Sequence, residues 1–171
     1  MVKTEKGVGF VELLDVPEPR PGPNEVLVEV KAAGICGTDI HIYHDEFPYN
    51  PPVVLGHEFC GLIAEVGENV TGWEPGDRVT CETAGEICGR CLYCRTGRYN
   101  LCPERMGLGY NMNGAFAEYV LIPRQEIIHR LPEDVDFVSG ALCEPSASVT
   151  HAVIDRTKIS GGDFVVVTGD G

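Results

Sequence analysis

The stretch ICGRCLYCRTGRYNLC places Cys88, Cys91, Cys94 and Cys102 within sixteen residues. The spacing Cys-x2-Cys-x2-Cys-x7-Cys lets four thiolates surround one tetrahedral ion at about 2.3 Å per bond, with no coordination position left open. A closed site cannot bind substrate, so its task is structural: metal binding replaces the apolar core that residues 82–113 lack. Two other chemistries fit the spacing. Cys88 with Cys91, or Cys91 with Cys94, is separated like a redox pair, and Cys-x2-Cys-x2-Cys also occurs around iron–sulfur clusters. Structural zinc is the favoured reading, because so polar a segment offers no core in which unrelated thiols could pack.

A second set of ligand types comes from GICGTDIHIYH and VVLGHEFCG. Cys36 is a soft anionic ligand and His57 a neutral nitrogen ligand, while Glu58 and Glu144 offer oxygen. Two or three protein ligands plus water leave a position for a substrate oxygen, the arrangement of catalytic zinc. Taken singly these residues say little. A lone cysteine is more often a buried apolar thiol, and a lone histidine more often a hydrogen-bonded boundary residue.

The elements that must hold these residues are mostly strands. VGFVELLDV, VLVEVKAAGI, the long run VVLGHEFCGLIAEVG and DRVTC are apolar and β-branched, with Pro and Gly clustered between them. VLVEVKAAGI alternates over its first half. Periodicity disappears over 82–113 and returns in GAFAEYVLIPRQEIIHRLP as two short strands with a kink at Pro123. PEDVDFVSGALCEPSASVTHAV then predicts helix, with Asp134 or Asp136 as a cap and Pro145 near the start of a second helix. GGDFVVVTGDG reads as a turn, an apolar strand and the first glycines of a phosphate-binding turn. The expectation is a mainly β domain with short helices, followed by one orphan strand, as in a piece of a longer protein.

Bulk composition excludes several functions. Of 171 residues, 26 are acidic and 13 basic, for a formal charge of -13. Such a surface repels phosphate backbones and anionic lipid, which argues against nucleic-acid or membrane binding. No run of eighteen apolar residues and no signal-peptide pattern is readable, so the default is a cytoplasmic protein with reduced thiols.

Three separated signatures agree in order and spacing: CGTDIH at 36–41, GHEFCGLIAEVG at 56–67, and the four-cysteine lobe followed by GAFAEYVLIP. On these the chain resembles the zinc-dependent, medium-chain alcohol and polyol dehydrogenases over essentially its whole length. The resemblance implies a GroES-like catalytic domain over 1–155, with the structural-zinc lobe at 82–113. Residues 156–171 would be a linker and the first strand of a Rossmann domain, Gly169 and Gly171 matching the first two glycines of its fingerprint. By family pattern the catalytic zinc ligands are Cys36, His57 and Glu58. Glu144 matches a fourth, acidic position of the sorbitol-like and threonine-like branches, where the following Pro145 favours it over the adjacent Cys143. Gly37, where liver-type enzymes often carry arginine, points to the same branch. Thr38 and His41 match a proton relay, and Asp39 a carboxylate that orients His57.

The implied function is hydride transfer between a secondary alcohol or polyol and NAD or NADP in a full-length, homo-oligomeric enzyme with one catalytic and one structural zinc. The chain alone would be inactive. The rival expectation is a non-enzymatic zinc-binding or thiol redox domain. Cys60 is read as a core thiol, Cys81 as lying near the lobe without a role in a four-ligand site, and His44, His129 and His151 as surface or packing residues.

Overall fold

The computed structural model describes residues 1–169. In chain order the elements are β1 (Val2–Lys3), β2 (Val11–Glu12), β3 (Val26–Gly34), α1 (Gly37–Tyr43), β4 (Val53–Val54), β5 (Glu58–Val66), β6 (Arg78–Cys81), β7 (Ala84–Glu86), α2 (Leu92–Arg95), β8 (Met106–Gly107), β9 (Tyr119–Ile122), β10 (Ile128–Arg130), α3 (Phe137–Gly140) and α4 (Cys143–Thr150). The strands form three antiparallel sheets ordered β2-β1-β4, β10-β6-β5-β3-β9 and β7-β8. The expected mainly β architecture with short helices is the one observed. No helix among the described residues is long and apolar enough to cross a membrane.

The five-stranded sheet carries the main core. Val26 and Val28 of β3, Phe59 and Ile63 of β5, Val79 of β6, and Val120 and Ile122 of β9 pack into one buried cluster. Leu27 is buried as well, so exposure alternates along 31–34 and not in the first half of β3 as the apolar pattern suggested.

Register places the site. In the antiparallel pair β3·β5, Gly34 lies opposite Glu58. The last residue of one strand therefore faces the first of the other, bringing Cys36 and His57, just beyond those ends, to the same edge of the sheet.

Three expectations need correction. The VGFVELLDV strand shrinks to Val11–Glu12, because Leu13 and Val16 find no neighbour and stand exposed. The run VVLGHEFCGLIAEVG is two strands in different sheets, broken at Gly56, whose φ of +91° ends the extended chain. Residues 164–168 are not hydrogen-bonded into any sheet, since no described strand lies beside them to satisfy their peptide groups. Phe164 is 93% exposed. Gly169 has a left-handed φ of +89°, and Gly171 lies outside the described residues.

Two clamps hold the parts that flank the site. Lys3 is fully buried, and its ammonium donates to the carbonyls of Gly7 and Gly9. Gly9 N–H in turn donates to the Tyr43 carbonyl at the end of α1 (2.8 Å), and Tyr49 Oη donates to Asp45 Oδ1 (2.6 Å). At the base of the lobe, Glu82 accepts from Tyr99 Oη at 3.0 Å and contacts His129 Nε2 at 2.8 Å, joining the lobe to β10.

Candidate metal centres and active site

The four lobe thiols converge. Their sulfurs lie within 4.8 Å of one another. Individual Sγ···Sγ distances are 3.5 Å for Cys91–Cys94, 3.6 Å for Cys102–Cys88 and 3.9 Å for Cys88–Cys94. A tetrahedron with bonds of ~2.3 Å has edges of ~3.8 Å, so the cage already has the size that four thiolates around zinc require. Backbone N–H groups turn inward too: Cys91 N donates to Cys88 Sγ and Cys94 N to Cys91 Sγ, each at 3.4 Å. The N–H groups of Arg90 and Cys91 hold the Cys88 thiol down at about 7, whereas burial pushes Cys94 up to about 12. The donor set fits a closed metal site. Cys81 is not part of it; it is buried in the main core, and desolvation raises its pKa strongly.

The second cluster is Cys36, His57 and Glu58, one ligand atom from each lying within 4.8 Å of the others. Cys36 caps α1, and its N–H donates to Asp39 Oδ2 at 2.9 Å. The other oxygen of Asp39 accepts from Gly56 N–H at 3.3 Å. One buried carboxylate thus ties together the two backbone segments that carry the ligands. His57 Nδ1 is buried, has no hydrogen-bond partner, and sits 3.8 Å from Asp39 Oδ1. That is too long for a hydrogen bond but within reach of an orienting charge. With Nδ1 turned toward Asp39, the other ring nitrogen remains for a metal. Glycines make room: a Cβ at Gly34 would come within 2.9 Å of Glu58 Oε2, and one at Gly56 within 2.5 Å of the Phe116 ring.

Burial raises the Cys36 pKa, while the N–H and hydroxyl of Thr38 pull it down. Asp39 is raised by its own burial, against the lowering pull of the Cys36 N–H, His57 and the Gly56 N–H.

The remaining expected site residues fall at graded distances. Thr38 is half-buried beside Cys36, and His41 follows one turn later with its Nδ1 2.9 Å from Glu46 Oε2 at the surface. Glu144 stands in the first turn of α4, outside the three-residue cluster. Burial raises its pKa, and the charges of His57, Glu58 and Arg105 also act on it. Cys143 packs instead with Cys60, Leu131 and Ala141. Gly37 is exposed, with nothing within 4 Å of where a Cβ would be, so packing does not require glycine there. Glu46, Tyr110 and Arg105 carried no motif that marked them in the sequence. The Tyr110 ring meets the His57 ring edge-on at 6.0 Å. A groove of about 590 Å³ lined by Val2, Val53, Val54, Tyr119 and Leu121 lies elsewhere and includes none of the candidate ligands.

A mainly β scaffold thus carries two separate clusters that could each hold a metal ion, one of four cysteines and one of Cys36, His57 and Glu58. Residues 22–133 match the alcohol dehydrogenase GroES-like domain. Over all of its 171 residues the chain is 53% identical to a sorbitol dehydrogenase of Halalkalibacterium halodurans, covering 49% of that protein. It is 42% identical to an L-threonine 3-dehydrogenase of Xanthomonas oryzae pv. oryzae, covering 100% of this chain and 50% of the relative. The cobalt- and zinc-bound thermostable alcohol dehydrogenase of Pyrobaculum aerophilum superposes with a TM-score of 0.82 at 30% identity, over 94% of this chain and 49% of that one. The chain belongs to the zinc-type medium-chain alcohol and polyol dehydrogenase family, through its GroES-like domain. It spans about half the length of the curated relatives it matches.

Proposed function

We propose that the protein oxidises a secondary alcohol or polyol by transferring a hydride to a nicotinamide cofactor, and that residues 1–155 form its zinc-binding catalytic domain. The observation that carries this reading is the pairing of a four-cysteine cluster with a separate Cys36/His57/Glu58 cluster; around zinc the first would be closed and the second would leave a position for substrate. The rival non-enzymatic reading accounts for the cage and leaves the second cluster without a purpose.

Zinc held by Cys36, His57 and Glu58 would supply a Lewis acid that lowers the proton affinity of an alcohol oxygen. The protein's own residues then manage the proton. The Thr38 hydroxyl accepts it while donating its own, which suits a group that does both at once. His41, one helical turn further and exposed, passes it on to solvent. Asp39 fixes the two ligand-bearing segments. Glu144 adds a carboxylate close enough to feel His57 and Glu58, as a ligand in its own right or through water. Gly169 and Gly171 are assigned to the start of the cofactor's phosphate-binding turn within residues 156–171. NAD or NADP serves as acceptor, and a cytoplasmic homo-oligomer acting on a small alcohol, not on nucleic acid or membrane, completes the reading.

The names of the relatives point toward sorbitol-like and threonine-like substrates. The test is an assay of the full-length protein with sorbitol, L-threonine, 2,3-butanediol and ethanol, with NAD and with NADP. Secondary alcohols or polyols should be oxidised, and Thr38→Ala should lower kcat by ~10²-fold or more. Undiminished turnover in Cys36→Ser, or no oxidation of any alcohol, would refute the assignment.

A further inference from the structure

Arg105 lies between the last cysteine of the lobe and β8. Half-buried arginines in this chain do not all find a carboxylate: Arg78 donates instead to the Val135 carbonyl, and Arg124 enters no ion pair among the described residues. Arg90 pairs with Glu104 and Arg130 with Asp77, yet Arg105 enters none of the ion pairs among the described residues. Its guanidinium carbon is 6.0 Å from the centroid of the Tyr110 ring. That same ring packs edge-on against Phe47 at 5.4 Å and stands 6.0 Å from His57. Tyr110 is held there firmly: it is buried, and a Cβ on Gly107 would come within 1.9 Å of its Cζ. One buried aromatic ring is therefore a common neighbour, at 6.0 Å, of a free guanidinium and of a candidate metal ligand.

Support of the ring alone explains Arg105 poorly, because 6.0 Å is the outer limit of a cation–π contact. A planar guanidinium with its donors free is instead suited to bidentate recognition of a carboxylate or phosphate. The site needs such a group for an anionic substrate. Without Arg105, an anion approaching Cys36, His57 and Glu58 would meet the carboxylates of Glu58 and Glu144.

We propose that Arg105 is a specificity-determining residue that recognises an anionic group, carboxylate or phosphate, on a hydroxylated substrate whose alcohol oxygen lies at the Cys36/His57/Glu58 cluster. This rests on the dehydrogenase reading above and narrows its substrate class.

The test uses the full-length protein with zinc in the lobe and cobalt in the mixed-ligand cluster, whose visible band reports occupancy of the open position. Sorbitol, sorbitol 6-phosphate, L-threonine and inorganic phosphate are titrated against the native protein, Arg105→Met and Arg105→Lys. At least one of sorbitol 6-phosphate and L-threonine should shift the band at a concentration about tenfold or more below that of sorbitol. Which of the two does so decides between phosphate and carboxylate. Arg105→Met should abolish that preference without changing the response to sorbitol, and Arg105→Lys should restore part of it. Inorganic phosphate should compete with the phosphorylated probe only where Arg105 is present. An unaltered cobalt band in the ligand-free variants checks that the site still folds. Equal responses to sorbitol and both anions, or a preference that survives Arg105→Met, would overturn the proposal alone. No response to any alcohol would remove the dehydrogenase reading as well.

Discussion

At the residue scale, Asp39 and Cys60 show how burial is put to different uses. Asp39 sits in the site as a carboxylate with backbone donors on both oxygens, so its charge is balanced by geometry that also fixes Cys36 and Gly56. Cys60 is the opposite case, a thiol with no accessible surface that donates to the Phe137 carbonyl at 2.8 Å. Desolvation pushes its pKa from 9.0 to about 11, with Cys143 adding to the rise. The folded state thus keeps a proton that the unfolded chain releases above pH 9. Stability should be unaffected by Cys60 below pH 9, fall as pH climbs from 9 to about 11, and level off beyond. The slope from this group is of order 1.4 kcal/mol per pH unit within that window. Denaturant midpoints for the native protein and Cys60→Ala, measured from pH 8 to 11, should converge as pH rises. Parallel curves would show that Cys60 ionises no differently in the two states.

At the scale of elements, the lobe and the sheet have separate sources of order. The lobe has thiolates where a core would be, while the five-stranded sheet buries a continuous apolar cluster. Cys94→Ser should therefore weaken zinc retention by one site and open 82–113 to proteolysis while leaving the sheet protected. A cleavage pattern matching that of the native protein would contradict this. The same division explains what could be read in the sequence. Cysteine spacing revealed the cage, because all four ligands are local, and apolar runs revealed β3, β5, β6 and β9. The break at Gly56 was hidden inside an unbroken apolar run, since a left-handed φ leaves no mark beyond the glycine itself. The shortening of the second strand to Val11–Glu12 was likewise illegible, because strand length depends on a neighbour that sequence pattern does not name. Cys36, His57 and Glu58 became a site through the CGTDIH and GHEF motifs. Arg105, Tyr110 and Glu46, which join it only in space, had no such signal.

At the scale of the whole molecule, the two candidate metal clusters differ in how the loss of an ion should be felt. Chelation of the zinc-loaded protein is expected to proceed in two steps. The ion with three protein ligands should leave first, with little change in far-ultraviolet circular dichroism. The ion under four thiolates should leave later, together with melting of the lobe. Elemental analysis beside circular dichroism along a chelator series checks the order, and release of both ions in one step would count against two independent sites. The opposition of Gly34 and Glu58 carries a further meaning for how the chain finds its fold. A slip of β5 by two residues against β3 would misalign the irregularities at Leu27/Val28 and Val30/Ala32 and move a side chain to where only Gly61 fits beneath the Glu29 carbonyl. At ~3.4 Å per residue the same slip would draw Cys36 and His57 about 7 Å apart. A metal held by Cys36, His57 and Glu58 would thus reward the same alignment that the bulges and Gly61 already select.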